Sequence, residues 1–129
     1  MSETNFLFDT SALIEFFDST AKGAEVQKIL EENTRFSVPS VVIAELISKL
    51  KRKGFDPNVF VDNIHKSADV LVMDSKIAKR AGELHAALKK QIERISLSDC
   101  TIMAHAEAED AFVVTCDTHF KDYKKVRLL

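Results

Sequence analysis

Apolar residues occur along the chain in short blocks, separated by longer stretches in which they recur every third or fourth position. The blocks NFLFD (5–9), RFSV (35–38), DVLVM (69–73), AFVVT (111–115) and KVRLL (125–129) read as strands. TSALIEFF, after the first block, reads as a short helix. Residues 21–33 carry Val26, Ile29 and Leu30 at helical spacing. Pro39 and Ser40 open a helix to about Lys53, proline suiting a helix start and serine a cap, and Gly54 stops it. Asp56 and Pro57 start another, with Val59, Phe60 and Ile64 facing inward. Residues 74–94 are the longest predicted helix, striped by Ile77, Ala81, Leu84, Leu88 and Ile92. A last helix covers about 98–109.

Strands separated by helices imply an α/β domain, with a parallel sheet of about five strands between two helical layers. In such sheets the functional site lies beyond the carboxyl ends of the strands, near the point where strand order reverses. At 129 residues the chain suits one domain over 1–129, and no internal repeat or low-complexity segment divides it. With 46% hydrophobic and 29% charged residues it has material for a real core.

The formal charge of −2 advertises no polyanionic partner. Binding to nucleic acid would need a local basic patch or a bound cation. Cys100 and Cys116 are too few for a disulfide framework and read as reduced thiols. The first ten residues lack the basic and apolar regions of a signal peptide, and no apolar run approaches a membrane span. A cytoplasmic protein with no membrane partner is expected.

Four acids fall where chemistry is expected. Asp9 ends the first strand and Asp117 follows the fourth, although either could simply cap a helix. Asp99 stands three residues after Ser96, the spacing of a capping box. Glu45 lies in the apolar run VVIAELI (41–47) and needs a partner. Lys49, one turn on, is the structural alternative. Carboxylates gathered from separate segments repel one another unless a cation joins them. Mg²⁺ or Mn²⁺ suits such oxygen ligands. Two such ions ~4 Å apart can activate water and stabilise the leaving oxygen in phosphodiester cleavage.

The stretches FDTSALIEFF (8–17), SVPSVVIAELI (37–47), SLSDCTIMAHA (96–106) and VVTCDTHF (113–120) resemble the PIN domains over nearly the whole chain. Asp9 with Ser11, Glu45, Asp99, and Thr115 with Asp117 and Phe120 match the family pattern in order, and no acidic position departs from it. The resemblance implies a Mg²⁺- or Mn²⁺-dependent ribonuclease, with Asp9, Glu45, Asp99 and Asp117 as catalytic and metal-binding residues and Ser11 and Thr115 in support. It implies strand order 3-2-1-4-5. Among compact members it suggests a VapC-like toxin acting on an RNA substrate, a homodimer held by an antitoxin protein. A housekeeping RNA-processing nuclease, or a module that only binds RNA or protein, would share most of this pattern.

Lys49, Lys51, Arg52 and Lys53 follow Glu45 and read either as a solvated helix end or as an RNA-binding rim. Lys121, Lys124, Lys125 and Arg127 form a second basic group. His65, His85, His105 and His119 show no metal-binding spacing, though His119 could face substrate. Ser11, where dehalogenase-like phosphatases need a second Asp, argues against that class. Three scattered glycines, Gly23, Gly54 and Gly82, exclude a dinucleotide-binding loop. A receiver domain would need adjacent acids after the first strand and a lysine after the last, and has neither.

Overall fold

A computed structural model describes residues 4–32 and 35–129. Strands β1 (Phe6–Phe8), β2 (Phe36–Pro39), β3 (Asp69–Leu71), β4 (Phe112–Thr115) and β5 (Val126–Leu128) form one sheet in the order β3-β2-β1-β4-β5. Every neighbouring pair is parallel. Helices α1 (Thr10–Phe17), α2 (Ala21–Glu32), α3 (Ser40–Arg52), α4 (Asn58–Ser67), α5 (Ser75–Leu88) and α6 (Leu97–Glu109) supply the crossovers. The expected three-layer α/β fold and its strand order are both found. The order reverses between β1 and β4, whose carboxyl ends deliver Asp9 and Cys116–Asp117 side by side.

The central strands are buried because both faces are covered. Leu7, Phe8, Val38, Val113 and Val114 are fully buried and pack with Leu46, Leu50, Ile95 and Phe120. A continuous apolar run, not alternation, is what such strands require.

Several elements differ from expectation. DVLVM pairs only through Leu71, because β2 turns into α3 after Pro39 and leaves residues 72 and 73 without a ladder partner. Val72 and Met73 are accordingly exposed. Pro39 ends β2 and occupies the N-cap of α3 without a side-chain bond, so Ser40 is the first helical residue and not the cap. Val59 is 74% exposed, since Pro57, Phe60, Val61 and Ile64 take the inward face of α4. Helix α5 stops at Leu88, short of residue 94; a turn closed by Ile92 N–H donating to the Leu88 carbonyl still carries Ile92 to the core. No Gly or Pro marks that stop, but the Lys89 ammonium folds onto the Glu93 carbonyl. The predicted end of the second helix, residue 33, lies outside the described residues.

Candidate active site

Three of the four acids, Asp9, Asp99 and Asp117, are placed in caps by local backbone chemistry, and capping proves compatible with a shared hydrogen-bond network. Asp9 caps α1 by accepting from the Ala12 N–H (3.2 Å). Its Oδ1 also accepts from Ser11 Oγ (2.7 Å), and its Oδ2 accepts from Thr115 Oγ1 (2.6 Å). Asp117 caps the 3₁₀ turn Thr118–Phe120, accepting from the His119 N–H (2.8 Å). Asp99 completes the capping box of α6: its Oδ2 accepts from the Ser96 N–H (3.0 Å), while Ser96 Oγ accepts from the Asp99 N–H (2.9 Å).

Glu45 is half-buried on α3, and its partner is Thr10, not Lys49: Thr10 Oγ1 donates to Glu45 Oε1 over 2.8 Å. Thr10 therefore couples α3 to the residue next to Asp9. Sequence reasoning did not single out Thr10, although its place beside the strand-end aspartate was the available signal.

Hydroxyls and one imidazole stitch the acids together. Thr115 Oγ1 donates to Asp9 and accepts from the Asp117 N–H (2.9 Å). Ser11 Oγ accepts from the Cys116 N–H (2.9 Å) and lies 3.3 Å from Thr115 Oγ1. His119 Nδ1 stands 3.2 Å from Asp99 Oδ2 and 3.4 Å from Asp117 Oδ1. In the tautomer that carries its proton on Nδ1, that nitrogen donates to these carboxylates. His119, weighed in the sequence only as a substrate contact, is thus part of the cluster. The network links Glu45, Thr10, Asp9, Thr115, Asp117, His119 and Asp99 along the carboxyl edge of the sheet.

The electrostatics fit a cation site. Asp9 is 4% exposed and among the described residues receives hydrogen bonds only from neutral groups. Burial pushes its pKa up from 3.8 to about 6, opposed by the Thr115, Ser11 and Ala12 hydrogen bonds and reinforced by the Asp117 charge. Glu45 Oε2, Asp99 Oδ1 and Asp117 Oδ2 accept no hydrogen bond among the described residues. Asp99, Asp117 and His119 each offer a ligand atom within 4.8 Å of the others. The uncommitted oxygens of Asp99 and Asp117 beside His119 are a donor set suited to a divalent ion, and among the described residues Asp9 and Glu45 are not part of that group.

The basic residues after Glu45 separate on α3. Lys49 and Arg52 line a groove with Ala44, Glu45 and Ser48. Lys51 lines a different cleft with Phe55 and Pro57, and Lys53 pairs with Asp18 at 3.6 Å. In the second basic group, Lys125 pairs with Asp110. Cys100 and Cys116 are both free thiols. No described helix is long and apolar enough to cross a membrane.

Known proteins share this fold. Ribonuclease VapC2 of Rickettsia felis is 28% identical over 102 residues, covering 77% of this chain and 74% of that protein. The structure of VapBC2 from Rickettsia felis bound to a promoter DNA fragment superposes with a TM-score of 0.73 at 24% identity, covering 98% of both chains. VapC20 of Mycobacterium tuberculosis, a toxin that cleaves the sarcin–ricin loop, superposes with a TM-score of 0.76 at 14% identity, covering 94% of this chain and 96% of that one. Residues 6–126, nearly the full length and every acid of the cluster, match the PIN domain family, and the chain belongs to it.

Proposed function

We propose that this protein is a metal-dependent endoribonuclease, and that it is the toxin of a toxin–antitoxin pair. The observation that carries the nuclease reading is the set of four carboxylates, Asp9, Glu45, Asp99 and Asp117, linked through Thr10, Thr115 and His119 at the carboxyl edge, with oxygens left uncommitted. These acids would hold Mg²⁺ or Mn²⁺. The chemistry such an ion supplies when bound is activation of water and neutralisation of charge on the scissile phosphate. The protein's own contribution is positioning. Thr10 fixes the Glu45 carboxylate, and Ser11 and Thr115 fix both oxygens of Asp9. Helix-start backbone amides hold Asp99 and Asp117. Ligands pinned this way need little reorganisation when an ion enters.

The toxin reading rests on the likeness to a VapC ribonuclease and on the shared fold with VapBC complexes. With it come two partners: an antitoxin protein and a second copy of this chain. The exposed character of α5, in which only Ala81 is buried, supports a homodimer that covers this helix.

The purified protein is expected to cleave single-stranded RNA in Mg²⁺ or Mn²⁺ and to be silent in EDTA, followed on labelled oligonucleotides. Full activity in EDTA would end the metal mechanism, and absence of cleavage with either ion would end the nuclease reading.

A further inference from the structure

The acidic site must receive an acidic strand, on a protein of net charge −2. Bare carboxylates would repel it, so cations must flank them. Glu45, Ser48, Lys49 and Arg52 stand at positions i, i+3, i+4 and i+7 of α3, a single helix face. With Ala44 they line an open groove of about 290 Å³ that begins at the site itself, because Glu45 belongs to both. We propose that this groove seats backbone phosphates of the RNA strand next to the scissile bond, with Lys49 and Arg52 as their ligands. This rests on the nuclease reading above and names where its substrate lies.

Neither cation is tied up by an acid, and their place beside Glu45 distinguishes them from the protein's other unpaired cations. Arg35, Lys53, Arg80 and Lys125 each have an acid within 4 Å: Asp69, Asp18, Glu107 and Asp110. Lys49 and Arg52 have none among the described residues, although Glu45 lies one turn from Lys49. Arg52 is nevertheless held in place. Its Nε donates to the Ser48 carbonyl and to Ser48 Oγ, both at 3.3 Å. That leaves the two Nη groups of the guanidinium, the pair that grips phosphate oxygens side by side, without a partner among the described residues. Complementing the helix dipole would treat Lys49, Lys51 and Arg52 alike, since all three lie in the last turn. The groove separates them, because Lys51 lines another cleft.

That separation supplies the test. Binding of a fluorescent, mixed-sequence, single-stranded RNA is measured across a salt series in Ca²⁺, for wild type, the double variant Lys49→Ala/Arg52→Ala, and Lys51→Ala. The double variant is expected to bind on the order of tenfold more weakly. Its log–log salt slope should be shallower by ~1.4, two lost contacts at ~0.7 each for a single strand. The loss should be the same for every RNA sequence, because phosphate contacts carry no base information. In cleavage it should appear in KM. Lys51→Ala should follow wild type. The pair Lys49→Gln/Arg52→Gln repeats the comparison with the apolar stems retained. Equal losses in the Lys51 and double variants, or an unchanged slope in the double variant, would overturn the groove while leaving a wild type that cleaves RNA as a nuclease. A wild type that neither binds nor cleaves RNA would overturn both readings.

Discussion

Replacing Asp9 by Asn is expected to abolish RNA cleavage and, at the same time, to make the metal-free protein more stable. Loss of one charged ligand removes several kcal/mol of transition-state stabilisation, roughly a thousandfold or more in rate. The gain in stability follows from where the charge sits. Asp9 is almost completely buried, and desolvation holds its pKa near 6 in the folded protein against 3.8 ordinarily. The folded state therefore binds the proton more tightly than the unfolded chain. The stabilisation this gives is complete below pH 3.8 and is lost as pH rises through 6, a difference of about 3 kcal/mol. Asn carries no charge to desolvate, so the variant should lack this sensitivity and exceed wild type above pH 6 by up to that amount.

The surrounding network can accept the amide. The Asn oxygen keeps the bonds from Ala12 N–H and Ser11 Oγ, and its NH₂ donates to Thr115 Oγ1. The Thr115 hydroxyl proton then turns to Ser11 Oγ, 3.3 Å away. Thermal melts between pH 4 and 8, with and without Mg²⁺, check the prediction. Wild type should lose stability with rising pH and regain it with Mg²⁺, and the variant should do neither. A strongly destabilised variant that still cleaves RNA would make Asp9 a helix cap and nothing more. Asp99→Asn should differ, because Asp99 also closes the capping box of α6. There the relief of repulsion is offset by weakened bonds to Ser96 and His119.

The contrast between the two aspartates shows where sequence reasoning stops. Strand identity and order were legible, because buried parallel strands leave continuous apolar runs and the PIN-like motifs recur in a fixed order. The positions of the acids at strand and helix ends were legible for the same reason. What joins them was not. Thr10, Thr115 and His119 act through side-chain hydrogen bonds between segments 35, 106 and 20 residues apart, and no spacing rule records such contacts. The environment of Glu45 was misjudged for a related reason. VVIAELI looks apolar all round, yet Ala44 is exposed and Glu45 half-buried, so α3 keeps a solvent face that continues into Ser48, Lys49 and Arg52. The basic cluster after Glu45 could not be divided by composition, whereas helical phase divides it at once. Strand ends were missed because they depend on where the neighbouring strand turns away, and no Gly or Pro in the sequence marks the stop of α5.

Glycine supplies the second large effect, and its sign depends on position. Gly23 lies in α2 where that helix crosses α1, and a methyl group there would stand 2.1 Å from the Glu15 carbonyl oxygen, 2.7 Å from its carbon and 2.9 Å from Phe16 Cα. All three are backbone atoms, so no side-chain rotation relieves the clash and the helices must separate. Gly23→Ala is therefore expected to cost about 3 kcal/mol from overpacking, against about 1 kcal/mol gained in helix propensity. The damage should reach the active site, because α1 begins at Thr10 and Ser11, which position Glu45 and Asp9. Activity should fall together with stability, and lowering the temperature should restore part of it. Gly82 provides the opposite case: it is exposed in the middle of α5, and an added methyl group meets nothing within 4 Å. There the same substitution should stabilise the single chain by roughly 0.4–1 kcal/mol, since it only restricts the unfolded chain and improves helix propensity. Urea unfolding of both variants against wild type compares the two directly. A Gly23→Ala protein as stable as wild type would mean that α1 and α2 do not meet as closely as this packing requires, and the placement of Thr10 and Ser11 through α1 would then need another support.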